Sequence, residues 1–379
     1  MREGAGPPGS AAAATKLAIV LPPRGDFSPA AAGAIGIVVH RLARAGGPGF
    51  APLVLGPASA LPPFPDVAFS PLRAGWWPPG PHAWRYGIAA CRRLRALIPA
   101  LIEVHNRPDV ALLLARRFAP TPVVLFLHND PREMRGARTG AERLRLFSRL
   151  ARVVTVSEFL RGLLLEGLAE APRAAVLANP IECAALPAPV PAGAREQVLL
   201  FAGRMVRDKG ADSFVAAAEA ALPRLPGWRA EMFGADRPGP DAPETSYVRA
   251  LRRRASAAGI EVHGYRPHGE VLAAMARAAI VVVPSRWAEP FGLTALEALA
   301  EGAALIAAPR GALPEVAGQA ALYAEPDPPG ALAEAMVALA TDPGRRAGLG
   351  AAGIARAKKF DLPEVAARLA KLRSEVLHP

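Results

Sequence analysis

Cysteine is almost missing from this chain: Cys91 and Cys183 are the two in 379 residues, far apart. That excludes a disulfide framework and a cysteine-based metal site, and it fits a reducing cytosol. Long apolar runs are also missing. None reaches the roughly 18 to 20 residues that a bilayer-spanning helix needs. Residues 1–16 carry Gly, Ala and Pro with no apolar block, and Glu3 stands beside Arg2. This reads as a flexible leader, not a secretory signal. No Gly-x-Gly-x-x-Gly follows the first expected strand, which disfavours a dinucleotide oxidoreductase. No Gly-x-x-x-x-Gly-Lys-Ser/Thr occurs, which disfavours a P-loop enzyme.

What is present is apolar residue, 51% of the chain, enough for two cores at this length. Short apolar runs alternate with helical patterns. In the first half the expected strands are 17–21, 101–104, 123–127, 153–156 and 174–177, with helices at 33–45 and 140–150. A Pro-rich break at 187–193 follows. A second series of strands is expected at 198–201, 229–233, 260–262, 280–283 and 304–307. Strand–helix alternation predicts parallel α/β sheets. The division is 17–190 for one domain and 191–360 for the other. Asp361 and Pro363 start a last helix over 362–377.

Net charge is +12. Residues 1–190 hold 22 basic and 12 acidic side chains, and residues 191–379 hold 23 and 21. The excess is therefore +10 in the first half and +2 in the second. Arg supplies 40 of the 45 basic residues, a bias that explains Arg over Lys but not the asymmetry. A polyanionic partner, nucleic acid or an anionic membrane, would explain it.

The segment Glu289-Pro-Phe-Gly-Leu-Thr-Ala-Leu-Glu297 follows the expected strand at 280–283. The order is strand, loop, helix N-terminus, and such a terminus offers free N–H groups and partial positive charge to a phosphate. Phe291, Gly292 and Leu293 would form that terminus. Glu289 could reach the sugar of a nucleotide-sugar and Glu297 its ribose. The plainer alternative is a βα unit with one solvated and one buried Glu. Arg204 and Lys209 follow the strand at 198–201, where open sheets bind ligands. They could clamp a diphosphate, or be two solvated loop cations. His128 ends one strand. His105 and Asn106 follow another and could line an acceptor side. Ser157 reads as a helix N-cap ahead of Glu158 and Phe159.

These segments resemble the retaining glycosyltransferases of the large family four (group 1), which have the GT-B fold and an E-x7-E signature. Glu289–Glu297 resembles that signature. Val198–Gly210, with Gly203-Arg204 and Lys209-Gly210, resembles the diphosphate motif. Val176–Pro180, with Asn179, resembles the turn closing the first domain. Leu125–His128 resembles the family's strand-end His, and Gly302–Glu315 the stretch after the signature. The resemblance runs in order over about 17 to 375. It implies two doubly wound Rossmann-like domains facing a cleft, with the segment 361–379 crossing back onto the first domain. It implies sugar transfer from a nucleotide-diphosphate donor to an acceptor hydroxyl with retention. His128 would approach the donor sugar from the first domain, and Gly33 would offer backbone N–H groups. Two departures bear on donor geometry: Ala34 stands in place of the second Gly of the first turn, and Ala312 follows Gly311 where a second Gly is common. Glu289 would orient sugar hydroxyls and stabilise positive charge at the ring. No Asp-x-Asp ends a strand, so no metal or other cofactor is implied, and the cations with the helix terminus would take its electrostatic role.

The first domain also carries Trp76-Trp77, Trp84-Arg85-Tyr86 and Arg92-Arg93-Leu94-Arg95. Trp84, Ile88, Cys91 and Arg95 recur at helical spacing, as a membrane-interface segment would. Core-facing Trp with a solvated Arg face is the alternative. Seven Arg over 132–152 read as a solvated helix. The expected function is a hexosyltransferase of cell-envelope polysaccharide, lipopolysaccharide or glycolipid synthesis, cytoplasmic and peripheral on the inner membrane face. Its expected acceptor is a glycan or lipid-linked glycan. A GT-B epimerase or glycan phosphorylase is the alternative. A basic nucleic-acid-binding protein is a more distant one, since no dense Lys/Arg–aromatic tract is present.

Overall fold

A computed structural model describes residues 14–47, 49–75, 81–168, 174–236 and 243–379. Its frame is two parallel sheets. The first contains β1 (Thr15–Val20), β2 (Phe50–Pro57), β3 (Phe69–Leu72), β4 (Leu101–His105), β5 (Val123–Leu127), β6 (Arg152–Thr155) and β7 (Ala174–Val176). The second contains β8 (Glu196–Ala202), β9 (Arg229–Phe233), β10 (Glu261–Gly264), β11 (Ala278–Val283), β12 (Ala304–Ala307) and β13 (Ala321–Tyr323). The order is 3-2-1-4-5-6-7 in the first and 10-9-8-11-12-13 in the second. Both orders reverse direction once, at β1/β4 and at β8/β11. Ligands of doubly wound sheets sit beyond the carboxyl ends of the strands at those reversals.

Burial on both faces explains the near-continuous apolar strands. Leu17–Val20, Val123–Leu127 and Ile280–Val282 are almost wholly inaccessible. The expected strands all form. Three more form without having been expected: β2, β3 and β13. The expected helices appear as Ala34–Ala45, Gly140–Arg149 and Leu362–Leu377.

The Pro-rich break at 187–193 lies between β7 and β8. The chain crosses between the domains twice. At the crossing Ile181 N donates to Phe360 O at 2.9 Å and Leu362 N to Ile181 O at 2.7 Å. Asp361 caps the last helix and its Oδ1 also accepts from Cys183 N at 3.0 Å. The helix Leu362–Leu377 then packs along helix Ala34–Ala45 and adds Val365, Leu369, Leu372 and Val376 to the core cluster that contains Leu17 and Ile19 of the first sheet. Arg373 of that helix is buried and makes a two-pronged pair with Glu103 of β4, at 2.7 and 2.9 Å. Removing one partner of such a pair would strand a charge in the core at a cost of about 3–5 kcal/mol.

The Arg-rich stretch 132–152 is not simply a solvated face. Arg143 is buried and donates to the carbonyls of Arg138 and Glu166, at 3.0 and 2.7 Å. Its aliphatic stem and forked head serve packing and main-chain capping together. Helix His82–Leu97 turns Tyr86, Gly87, Ala90, Cys91 and Leu94 inward. Cys91 is thus core, while Trp84 is 41% exposed and Arg92 and Arg95 face outward. Trp76 and Trp77 lie outside the described residues. Among those residues, no helix is long and apolar enough to cross a membrane.

Candidate functional site

The carboxyl ends of both sheets face a cleft of about 640 Å³. Its walls include Gly33 and His128 from the first domain, and Arg204, Lys209, Glu289, Phe291, Gly292, Leu293 and Glu297 from the second. Nine of the eleven residues singled out from sequence thus meet at one place. His105 and Asn106 are not on the cleft wall.

Lys209 and Glu289 come from the ends of neighbouring strands, β8 and β11. The loop after β8 can press on the loop after β11 only because position 210 is glycine. Gly210 has φ +68°, and a Cβ there would lie 1.8 Å from Pro284 O. The two loops are stitched by Arg286 N and Trp287 N, which donate to Asp208 O at 2.9 and 3.0 Å. As a result Lys209 Nζ donates to Glu289 Oε1 at 2.6 Å, and Ser285 Oγ donates to the same oxygen at 2.8 Å. The Lys209 ammonium also lies 5.1 Å from the Trp287 ring centroid, on its face. Glu289 is buried, so these partners offset the cost of holding its charge away from water. Lys209 is therefore tied to Glu289, not a free loop cation. Arg204 is exposed, and no side-chain partner holds it among the described residues.

The back of the Glu289 loop is fixed from the main chain. Gly311 has φ +60°, and a Cβ there would meet Glu289 N at 2.3 Å. Ala312 N donates to Glu289 O at 2.8 Å. Gly292, φ +96°, opens the helix Leu293–Ala300. A Cβ on Gly292 would press Leu313 Cδ2 at 2.6 Å. The first N–H groups of that helix are thereby brought to the cleft wall. One face of the helix carries Glu297, buried, with Oε1 at 2.8 Å from His268 Nε2. One turn on, burial, with the Glu297 charge added, raises the Glu301 carboxyl to about 7.

Across the cleft, His128 rests on a second imidazole. His105 Nδ1 and His128 Nε2 are 2.9 Å apart, one donating and the other accepting. His128 N donates to Asn106 Oδ1 at 3.0 Å, and Asn106 sits at φ +58°, a left-handed conformation that Asn tolerates. His105 and Asn106 thus lie behind His128 and hold it. Burial lowers His128 to about 4 and drives His105 well below its ordinary value, with His128 adding to the effect. Both rings are neutral at pH 7, and one shared proton satisfies the pair.

At the first turn Gly33 caps helix Ala34–Ala45 with extended backbone, and a Cβ on Gly33 would meet nothing within 4 Å. The crowded glycine here is Gly36, whose added Cβ would lie 3.0 Å from Asp26 O. Sequence reasoning passed over Ser285, Trp287, Tyr265 and His268, which also line the cleft. All four follow the ends of strands β10 or β11, so the strand-end rule applied to every strand would have reached them. Tyr265 also bridges the domains, its hydroxyl donating to Ala30 O at 2.6 Å. Ser157 is an N-cap, accepting from Leu160 N at 3.0 Å, and its hydroxyl also donates to Pro290 O of the second domain. Glu231, Glu261 and His263 bring possible metal-ligand atoms together, but Arg229 and Arg277 already pair with Glu231.

Two family models match the chain. The one described as Glycosyl transferases group 1 matches residues 196–342, and Glycosyltransferase Family 4 matches residues 35–185. A D-inositol 3-phosphate glycosyltransferase of Corynebacterium glutamicum is 32% identical over 188 residues, 48% of this chain and 44% of that protein. The lipopolysaccharide core biosynthesis mannosyltransferase LpsB of Rhizobium meliloti is 30% identical over 182 residues, 46% of this chain and 50% of that protein. The matches thus span about half the length of these relatives or less. Among solved structures, sucrose-phosphate synthase from Thermosynechococcus elongatus superposes with a TM-score of 0.79 at 19% identity, covering 96% of this chain and 99% of that one. HepE of Anabaena, solved with UDP and glucose, superposes at 0.74 and 17% identity, covering 95% and 100%.

Proposed function

The chain belongs to family 4 of the glycosyltransferases, the group 1 enzymes, and from that premise we propose that it moves a hexose from a nucleoside-diphosphate donor to an acceptor hydroxyl with retention. One observation carries the reading most: the Glu289 carboxylate, held by Lys209 at 2.6 Å in the cleft between two parallel sheets. A nucleoside diphosphate placed there meets positive charge from three sources: Arg204, Lys209 and the N-terminus of the helix Leu293–Ala300. These can neutralise the leaving diphosphate as the glycosidic bond breaks, with no metal required by the reading. Glu297 and His268 lie farther along the same wall and suit the ribose hydroxyls. Glu289 faces the sugar, where a buried carboxylate stabilises positive charge developing at the ring. His128, neutral, offers its imidazole to sugar hydroxyls from the opposite wall.

Retention follows from front-face attack, in which the leaving diphosphate takes the acceptor proton, so Glu289 acts as neither base nor nucleophile. The acceptor is proposed to be a glycan or lipid-linked glycan of the cell envelope, handled at the inner membrane face. The name of the LpsB relative and the basic first half of the chain support that.

UDP is the probe for the test, as the nucleotide bound by the HepE structure. Calorimetry on Arg204→Ala and Lys209→Ala should show UDP binding weakened about tenfold, or about 1.4 kcal/mol each, with little change in melting temperature for Arg204→Ala and a lower one for Lys209→Ala, which leaves the buried Glu289 without its ion-pair partner. A panel of nucleotide-sugars screened by thermal shift should identify the donor, since ligand at about 100 times its Kd adds about 2.7 kcal/mol. Parent-like UDP affinity in both variants would overturn the clamp.

A further inference from the structure

A set of hydrogen bonds joins the first domain to the two segments that frame Glu289. Ser157, fully buried at the end of β6, uses its hydroxyl twice. Its Oγ accepts from Leu160 N at 3.0 Å, and its proton goes across the domain boundary to Pro290 O at 2.6 Å. In return, the second domain sends a carboxylate to the same helix end. Glu315 Oε1 accepts from Glu158 N at 2.8 Å, and Oε2 accepts from Phe159 N at 3.0 Å. The opening N–H groups of the helix Glu158–Leu165 are thus all taken, two of them by the opposite domain. A carboxylate at a helix N-terminus is favourable by charge as well as by hydrogen bonding.

Both gripped points belong to the frame of Glu289. Pro290 is the next residue in the chain. Glu315 lies four residues beyond Gly311, whose α-carbon packs on the Glu289 backbone. Arg356 holds the Glu315 segment from behind by donating to the carbonyls of Glu315 and Val316. Neither Ser157 nor Glu315 lines the cleft.

We propose that Ser157 and Glu315 form an inter-domain latch: positioning residues that set the Glu289 loop against the His128 wall. Its effect on turnover rests on the function proposed above. Its effect on the loop does not. Because the latch grips the loop and not the nucleotide, losing it should affect orientation for chemistry and leave diphosphate binding alone. An orientation error of this kind costs rate.

The test uses the full chain with Glu315→Ala, Ser157→Ala and Ser157→Thr. Hydrogen exchange by mass spectrometry should become faster in Glu315→Ala at Glu158–Leu165 and also at Ser285–Gly292. UDP affinity should stay within twofold of the parent, while kcat falls about tenfold with little change in donor KM. Ser157→Thr, which keeps the hydroxyl, should recover most of what Ser157→Ala loses. Unchanged exchange at Ser285–Gly292 overturns the latch whatever the donor, even if no sugar transfer is found in the parent. So does kcat within twofold of the parent. A parallel loss of melting temperature, UDP affinity and kcat also overturns it, since that pattern marks a merely structural contact.

Discussion

Glu289 is held by partners already in place, Lys209 and Ser285 on one oxygen and the Gly311–Ala312 backbone behind. Replacing it by Gln keeps the shape and removes the charge. Lys209 then loses its ion-pair partner and is freer to meet a diphosphate. For Glu289→Gln, turnover should fall at least about tenfold, or about 1.4 kcal/mol of transition-state stabilisation, while UDP affinity should hold or rise. Unchanged turnover with the correct donor would remove the role assigned to Glu289. The imidazole pair gives a second prediction of this kind. His128 titrates near 6.5 when unfolded and at about 4 when folded, because burial disfavours its charge. Between those values the unfolded chain binds a proton that the folded chain refuses. Stability is therefore complete above about pH 6.5 and is lost as pH falls toward 4, by on the order of 3 kcal/mol for this ring alone. Urea unfolding at pH 7 and pH 5 should show a smaller loss for His128→Gln than for the parent. An equal loss in both would mean that His128 is not held neutral.

The elements were legible wherever local pattern and tertiary demand agreed. Strands buried on both faces, such as Val123–Leu127 and Ile280–Val283, announce themselves as apolar runs bounded by polar turns. The three unforeseen strands break that pattern for identifiable reasons. Phe50–Pro57 contains Pro52, Gly56 and Pro57, and Phe69–Leu72 contains Pro71. Proline weakens a ladder and is tolerated near sheet edges, where these two strands lie. Ala321–Tyr323 is three residues long at the far edge, too short for any periodicity. The site was legible for a related reason, since its residues follow strand ends in sequence. Sequence could not show that Lys209 pairs with Glu289, because that contact spans two loops held together by Gly210. Nor could it separate His128, on the cleft, from His105, beneath it. Each ends or follows an apolar strand, and the pairing of β4 with β5, which sets His105 opposite Phe126, carries His128 two residues farther toward the cleft.

Across the whole molecule, charge and shape divide the labour between the two sheets. The second domain, nearly neutral, carries the cations of the proposed donor site in its strand-end loops. The first domain carries the excess of +10, and its helix His82–Leu97 presents Arg92, Arg93 and Arg95 outward. On the same helix Trp84 is 41% exposed, and Ile98, just past its end, is 76% exposed. Exposed aromatic and aliphatic groups beside arginines suit a headgroup region, where apolar burial adds to attraction by anionic lipid. The chain should therefore co-sediment with vesicles containing anionic lipid, and added salt should weaken that binding, since surface attraction is screened over about 10 Å at 0.1 M. Replacing Arg92, Arg93 and Arg95 together by Gln should reduce vesicle binding several-fold and leave transfer to a soluble acceptor analogue unchanged, because none of the three lines the cleft. Equal partition to neutral and anionic vesicles, or none to either, would detach the charge asymmetry from the membrane and favour a soluble acceptor.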